Sequence, residues 1–342
     1  MFASHIGIDL GTANTMFVGK NQRIILDEPS VVAFAIKDGN KRLIGVGHDA
    51  KLMLGKTPGS IEAVCPLIDG VIANFEYAEE MIGAFFEKAI VKNMFSKPMV
   101  VVCVPYGATP VEKRAIQQSF TKAGAKKVGL LSEPMAAALG ANLPWENPKG
   151  SMVIDIGGGT TEIAVVSLGG IVCANSIRIG GSHFDKAIID SIRKNYELNI
   201  GIMSAERIKH NLSIEQQKAK SPNNMKVTFT VSGIGSKDGL PKTAEVSSDS
   251  IIMSLNYLLD QIEQATRSVL EKIPPDLASD IYLDGIMLTG GGALLNGLDT
   301  ALSRRLSLLC TIAENAQYCV AYGAGIAATL GKKLTHAIEY EI

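Results

Sequence analysis

Residues Ser151–Val166 read Ser-Met-Val-Ile-Asp-Ile-Gly-Gly-Gly-Thr-Thr-Glu-Ile-Ala-Val-Val. The apolar residues on both sides predict two strands, and the three glycines predict a tight turn between them. Backbone amides in such a turn can bind phosphate oxygens, because no side chain blocks the approach. Asp155 lies at the end of the first predicted strand and faces the turn. The stretch therefore predicts a phosphate-binding hairpin.

An earlier stretch, Ile6–Val18, repeats this pattern as Ile-Gly-Ile-Asp-Leu-Gly-Thr-Ala-Asn-Thr-Met-Phe-Val. Acid, glycine and threonine coincide in register, and the matched pairs are Asp9 with Asp155, Gly11 with Gly157 and Thr15 with Thr161. Two copies of one hairpin, half a chain apart, predict two related halves that face each other across a cleft. The alternative is that both are ordinary strand-turn-strand pieces that match by chance.

Size and composition narrow the class of protein. A chain of 342 residues is long enough for two domains. The net charge of −1 and the lack of a basic stripe disfavour a nucleic-acid partner. Although 46% of the residues are hydrophobic, no apolar run approaches the roughly 20 residues that a spanning helix needs. Five scattered cysteines without a C-x-x-C pair, and no secretory leader before the first strand, predict a cytoplasmic protein with reduced thiols.

The order of predicted elements indicates an α/β fold. A continuous apolar strand at 99–104 precedes a helix that begins at Thr109-Pro110, and a further strand follows at 128–131. Breaks at prolines and glycines, or long polar stretches, predict two small inserted subdomains. We therefore expect a first half at 1–145 with an insert at about 21–75, and a second half at 146–342 with an insert at about 183–248.

A third glycine turn, at residues 290–293, follows a predicted strand at 286–289. Neither G-x-x-x-x-G-K-[ST] nor G-x-G-x-x-G opening a βαβ unit occurs, which disfavours a P-loop and a Rossmann site. Each turn alone could be structural, but three together predict a nucleotide site. The candidate binding residues are Gly11, Thr12, Ala13, Asn14, Gly157, Gly158, Gly159, Thr160, Gly290, Gly291, Gly292 and Ala293.

The sequence resembles the actin-like ATPase superfamily and, within it, the MreB family of bacterial actins, over nearly the full chain. The motifs that carry the resemblance are Ile-Asp-Leu-Gly-Thr-Ala-Asn-Thr at 8–15, Glu-Pro-Ser-Val-Val-Ala at 28–33, Val-Gly-His-Asp-Ala-Lys at 46–51, Gly-Lys-Thr-Pro-Gly at 55–59, Cys-Val-Pro-Tyr-Gly-Ala-Thr at 103–109, Glu-Pro-Met-Ala-Ala-Ala at 133–138, Ala-Glu-Arg-Ile-Lys-His at 205–210 and Leu-Thr-Gly-Gly-Gly-Ala-Leu-Leu at 288–295. The resemblance implies an actin-like ATPase fold, with two related RNase H-like halves and two small inserted subdomains around a nucleotide cleft.

The resemblance also implies ATP and Mg²⁺ in that cleft. Asp9 and Asp155 would hold the metal through water, and the alternative is that they cap strand ends. Glu206 and Lys209, three apart on one helix face, match family positions near the ribose and base, and the alternative is a surface ion pair. Glu133 matches the position that orients the attacking water, and Thr161 would assist. Ser132 stands where many members carry a second acid.

Family members polymerise into paired protofilaments on the inner face of the cell membrane, which implies filaments, a peripheral location and cell-shape partner proteins here. Met94 and Phe95 stand in a polar loop beside lysines, a pattern that suits shallow insertion into an anionic membrane surface. The alternative is a loop tip packed on its own core. For the whole chain, we expect a slow ATPase that forms filaments, and the remaining alternative is a sugar-kinase-like phosphotransferase of the same superfamily.

Overall fold

The computed structural model describes residues 5–90, 97–214, 227–330, 334 and 337–340. Within these residues the strands are β1 (His5–Leu10), β2 (Asn14–Val18), β3 (Ile24–Pro29), β4 (Val32–Lys37), β5 (Asn40–Val46), β6 (Ile61–Val64), β7 (Leu67–Ile68), β8 (Val71–Ile72), β9 (Met99–Val104), β10 (Lys127–Ser132), β11 (Ser151–Ile156), β12 (Thr161–Ser167), β13 (Gly170–Ile177), β14 (Leu198–Asn199), β15 (Thr228–Gly235), β16 (Pro241–Ser247), β17 (Ile286–Thr289), β18 (Cys310–Ile312) and β19 (Ile338–Tyr340). The α-helices are α1 (His48–Lys51), α2 (Phe75–Ala89), α3 (Pro110–Ala123), α4 (Glu133–Gly140), α5 (Gly181–Tyr196), α6 (Ile202–Asn211), α7 (Ser248–Leu270), α8 (Pro275–Asp284), α9 (Leu298–Leu306) and α10 (Cys319–Leu330).

Two sheets with the same internal arrangement form the centre of the molecule. The first has the order β19-β10-β9-β1-β2-β3, and the second has the order β13-β12-β11-β17-β18. In both, an antiparallel hairpin supplies the central strands, and two further strands continue the sheet in parallel. This repeated topology confirms the prediction of two related halves.

The two hairpins coincide residue for residue, as the sequence repeat predicts. Leu10 pairs with Thr15 in the first hairpin, and Ile156 pairs with Thr161 in the second. Each acid therefore lies one residue before the last pair of its hairpin, at the end of the strand that enters the turn. The fold thus presents Asp9 and Asp155 at equivalent positions.

Smaller sheets lie in the ranges where we expect inserts. The first contains the three-stranded sheet β5-β4-β6 and the hairpin β7-β8, and the second contains the sheet β14-β15-β16. Strand β3 lies within the predicted first insert but pairs with β2 in the six-stranded sheet, because the chain turns back directly after the hairpin. The exact division into domains stays a prediction.

The end of the chain packs against the first sheet. Helix α10 contacts β1 and α4, and β19 pairs antiparallel with β10. A side chain at Gly7 would overlap the backbone of α10 at Gly325, so small residues permit this close packing. One buried cluster joins α10 and α4 to strands of both large sheets, which makes the two halves share part of their core.

Among the residues that the structure describes, no helix combines the length and the apolar character needed to cross a membrane.

Candidate functional site

A cavity of about 430 Å³ lies between the two large sheets, at the turns of both hairpins. The predicted site residues that line it are Asp9, Gly11, Thr12, Ala13, Asn14, Glu133, Asp155, Gly157, Gly158, Gly159, Thr160, Glu206, Lys209, Gly290, Gly291 and Gly292. The structure therefore brings together residues from widely separated parts of the chain. Ala293 and Thr161 do not line the cavity.

The first hairpin turn is supported from behind by Ser30. The Ser30 hydroxyl donates to the carbonyl of Gly11 at 2.6 Å, and the Ser30 amide donates to the carbonyl of Ala13 at 2.9 Å. These bonds leave the opposite side of the turn open to the cavity. Ser30 belongs to the Glu-Pro-Ser motif, but nothing in the local sequence indicates this contact.

The second hairpin turn lies against the first. A side chain at Gly158 would come within 2.6 Å of Cβ of Ala13, so the two turns touch. The amides of Gly181 and Ser182, at the start of α5, donate to the carbonyls of Gly157 and Gly158 at 2.9 and 2.8 Å. The turn is therefore fixed both to the other half of the protein and to α5.

The turn between β7 and β8 completes this side of the cavity, a contribution that no local pattern predicted. The Gly70 amide donates to Thr12 Oγ1 at 2.9 Å, and Asp69 Oδ1 lies 3.6 Å from His183 Nε2 on α5. Burial lowers the pKa of His183. The β7–β8 turn thus links the first hairpin to the second half.

Asp9 and Asp155 lie deep in the cavity. Burial, together with the charges of Asp155 and Asp27, raises the pKa of Asp9 to about 7. Burial raises the pKa of Asp155 to about 6, although its Oδ1 accepts a hydrogen bond from Thr289 Oγ1 at 2.7 Å. Two buried carboxylates that are costly to ionise together are suited to a divalent cation.

The number of carboxylates is also informative about the cation. Within the described ranges, no group of three or more His, Cys, Asp or Glu side chains could enclose a metal ion. Mg²⁺ characteristically binds through one or two carboxylates, substrate phosphates and several waters. The residues present therefore fit Mg²⁺ held together with phosphate.

Glu133 begins α4, and its side chain is 8% exposed. Burial raises the pKa of Glu133 well above its usual value, and the charges of Glu162, Asp9 and Asp155 add to this effect. A carboxyl group with a raised pKa is a stronger proton acceptor when ionised, which is a property of general bases.

Glu162 is a buried acid that we did not single out from the sequence. Its two carboxylate oxygens accept hydrogen bonds from the Ser176 hydroxyl at 2.6 Å and the Tyr106 amide at 3.3 Å. Burial raises the pKa of Glu162, whereas these hydrogen bonds lower it. An acid inside the otherwise apolar strand β12 was the available signal. Because Tyr106 follows β9, Glu162 links the two halves.

Adjacent threonines in the second hairpin have different surroundings. The Thr161 hydroxyl is fully buried and donates to the carbonyl of Ile179 at 2.7 Å. Thr160 lines the cavity. The Thr161 side chain therefore faces away from the cavity, which does not support the predicted assistance of Thr161 to the attacking water. Ala293 is likewise fully buried in the core of the second half.

Glu206 and Lys209 both line the cavity, but they do not pair with each other. Lys209 Nζ donates to Asp185 Oδ2 at 2.8 Å and to the carbonyl of Gly181 at 3.0 Å. Glu206 Oε1 accepts from Lys51 Nζ at 2.9 Å. Each residue therefore forms an ion pair with another partner, and the roles of Glu206 and Lys209 beside the ribose and base stay predictions. Met94 and Phe95, the predicted membrane residues, lie outside the described residues.

The repeated sheets and the glycine turns around one cleft are typical of actin-like nucleotide-binding proteins, and comparisons with known proteins agree. Residues 3–336 match the family described as MreB/Mbl protein. The chain is 47% identical to the cell shape-determining protein MreB of Escherichia coli strain K12, over 95% of this chain and 93% of that protein. It is 44% identical to the cell shape-determining protein Mbl of Bacillus subtilis strain 168, over 95% and 96% of the two chains. The chain thus belongs to the MreB/Mbl family and is a bacterial actin homologue.

Solved structures support the same fold. The crystal structure of MreB5 of Spiroplasma citri bound to AMPPNP has a TM-score of 0.89 and 35% identity, and the match covers 97% of this chain and 98% of that one. A MamK double helical filament has a TM-score of 0.79 at 20% identity, covering 96% and 99% of the two chains, and shows the fold alone. The predicted α/β fold class, an actin-like fold, is confirmed.

Proposed function

We propose that this protein binds and slowly hydrolyses ATP, and that it assembles into membrane-associated cytoskeletal filaments that govern cell shape. The observation that carries the proposal is the cavity at which both hairpin turns, Asp9, Asp155 and Glu133 converge. The relatives named for cell shape, and the MreB5 structures bound to AMPPNP and ADP, support it. The family match favours this function over the sugar-kinase alternative.

In this proposal, ATP lies along the cavity. The turns at 11–14 and 157–160 bind the phosphates through backbone amides, and the turn at 290–293 lies beside the adenosine. Glu206 and Lys209 contact the ribose and base. Asp9 and Asp155 would hold Mg²⁺, and the bound ion would supply charge neutralisation for the phosphates.

Glu133 orients the water that attacks the terminal phosphate. Glu133 is the first residue of α4, and burial together with the neighbouring acids raises the pKa of its carboxyl group. A raised pKa suits a group that accepts a hydrogen bond or a proton from water. We assign the assisting hydroxyl to Thr160, which lines the cavity, and not to Thr161. Phosphoryl transfer needs positioning and charge stabilisation more than covalent help, so this set is sufficient.

The remaining parts of the proposal concern assembly. Copies of this chain join one another in paired protofilaments, and nucleotide state controls the contact between subunits through the cleft. The filaments lie in the cytoplasm against the anionic inner face of the cell membrane, where they meet cell-shape proteins. Many weak membrane contacts along a filament add up to firm attachment.

The test of the proposal is Glu133→Gln, which keeps the size of the side chain but removes the carboxylate. We expect ATP binding and filaments in ATP to remain, whereas phosphate release falls about 100-fold or more. Fluorescent nucleotide binding, phosphate release and electron microscopy measure the three properties. The matched control is Glu76→Gln, because Glu76 also lies in the first turn of a helix, α2, but is exposed and outside the cavity.

Unchanged phosphate release in Glu133→Gln would remove Glu133 from the reaction. A wild-type protein that binds no ATP, or that binds ATP and never forms filaments, would contradict the function itself. Transfer of phosphate to a sugar hydroxyl would revive the kinase alternative.

A further inference from the structure

An ion pair crosses the nucleotide cavity from one half of the protein to the other. Lys51 Nζ, at the end of α1, lies 2.9 Å from Glu206 Oε1 on α6. Both side chains line the cavity, and they are 31% and 28% exposed. The pair therefore stands where the cavity meets solvent. Lys51 lies in the first predicted insert and Glu206 lies in the second. The contact therefore joins two segments that are far apart in the sequence.

The Lys51 side of the pair is tied to the first sheet. The amide of His48, at the start of α1, donates to Glu28 Oε2 at 2.8 Å, and Glu28 belongs to β3. Lys88 on α2 donates to Glu28 Oε1 at 3.0 Å. The Glu28 carboxylate thus connects the start of α1 to both β3 and α2, so the backbone that carries Lys51 is anchored to the first half.

The Glu206 side is tied to the second half in the same way. Lys209, one turn after Glu206 on α6, donates to Asp185 and to the carbonyl of Gly181 on α5. Asp185 is 6% exposed, so this anchor is largely shielded from water. Glu206 consequently faces Lys51 from a fixed helix, and the Lys51–Glu206 pair connects two anchored elements across the cavity.

We propose that Lys51 is a gating residue, and that its ion pair with Glu206 must break each time a nucleotide enters or leaves the cavity. This inference rests on the proposed nucleotide-binding function and adds a control on exchange. Because the pair crosses the cavity at its opening to solvent, it opposes passage of a nucleotide in both directions. The pair therefore sets the rates of nucleotide association and dissociation, while their ratio depends on the phosphate-binding turns.

The test uses Lys51→Met, which keeps the length of the side chain, and Lys51→Arg, which keeps the charge. Stopped-flow measurements with fluorescent ATP and ADP give the association and dissociation rates. We expect both rates to rise about two- to fivefold in Lys51→Met, as befits a partly exposed ion pair, with the dissociation constant nearly unchanged. Lys51→Arg should keep wild-type rates. Added salt should speed exchange in the wild type more than in Lys51→Met, since salt screens the pair.

The matched control is Lys113→Met. Lys113 also forms a 2.9 Å pair with a glutamate, Glu339, but lies outside the nucleotide cavity. Its exchange rates should equal those of the wild type. This control separates the gate from a general effect of removing a lysine.

Two results would overturn the gate while nucleotide binding stands. Equal exchange rates in wild type and Lys51→Met would show that the pair imposes no barrier. Faster dissociation with unchanged association, and so weaker affinity, would make Lys51 a direct nucleotide contact. If the wild type binds no nucleotide, both the gate and the proposed function fail, and equilibrium binding reports that outcome separately.

Discussion

At the scale of single residues, acidic side chains are concentrated in and beside the cavity: Asp9, Asp155 and Glu133 line it, and Glu162 lies behind its lining. Asp9, Asp155, Glu133 and Glu162 all have raised pKa values because they are buried, and for Asp9 and Glu133 the neighbouring acids add to the shift. Such a group is unfavourable for stability on its own, since each ionised carboxylate loses contact with water. Ionisable groups with shifted pKa values of this kind are concentrated at functional sites of proteins.

The two adjacent threonines allow a clear test at this scale. Thr160→Val should reduce ATP hydrolysis about tenfold, the effect of losing one hydrogen bond of about 1.4 kcal/mol in the reaction, with little change in stability. Thr161→Val should lower the free energy of unfolding by about 1–2 kcal/mol, because the carbonyl of Ile179 loses its donor. Phosphate release and urea unfolding, followed by the fluorescence of Trp145, measure the two effects. The reverse pattern would restore the catalytic role to Thr161.

At the scale of elements, the hairpin turns depend on close approach between backbones. A side chain at Gly159 would lie 2.7 Å from Cα of Asp69 and 2.7 Å from Thr12 Oγ1. Gly159 therefore allows the second hairpin to meet both the β7–β8 turn and the first hairpin. The glycine triplet serves the contact between halves as well as the approach of phosphate.

This contact makes Gly159→Ala a specific prediction. The added methyl group must push the hairpin away from the β7–β8 turn, and we expect ATP affinity to fall at least about tenfold, within the usual cost of overpacking. The control is Gly170→Ala, because a side chain there meets nothing within 4 Å. Isothermal titration calorimetry measures the ATP affinity of both variants. Equal affinities in the two variants would mean that the turns need no close contact.

At the scale of the whole molecule, the cleft lies between halves that share one buried cluster. Helix α10 and α4 join strands of both large sheets on one side of the cleft, while the β7–β8 turn and the Lys51–Glu206 pair connect the halves at the cavity. The apolar cluster can act as a fixed base, and the polar contacts can break. Because the polar contacts break more easily than the apolar cluster, the proposed nucleotide exchange would change the angle between the halves about that cluster.

The proposed membrane attachment would likewise depend on the whole assembly, and its test concerns Met94 and Phe95. Changing both to serine should reduce co-sedimentation of filaments with anionic liposomes, because shallow insertion loses its two apolar side chains. In the control, Met253 and Tyr257 on α7 are changed to serine, because these two apolar residues are also exposed, at 70% and 58%. Pelleting without lipid corrects for assembly. Undiminished lipid-dependent pelleting of the Met94 and Phe95 variant would favour packing of that loop on its own core.

The sequence by itself determined the hairpins, the α/β class and most of the cavity lining, because each depends on patterns within a few neighbouring residues. Only the tertiary structure decided that Thr160 and not Thr161 faces the cavity, that Glu162 joins the halves, and that Lys51 meets Glu206. These contacts join residues far apart in the chain or depend on how a strand is turned within its sheet. They follow from the packing of the two halves, which no local pattern records.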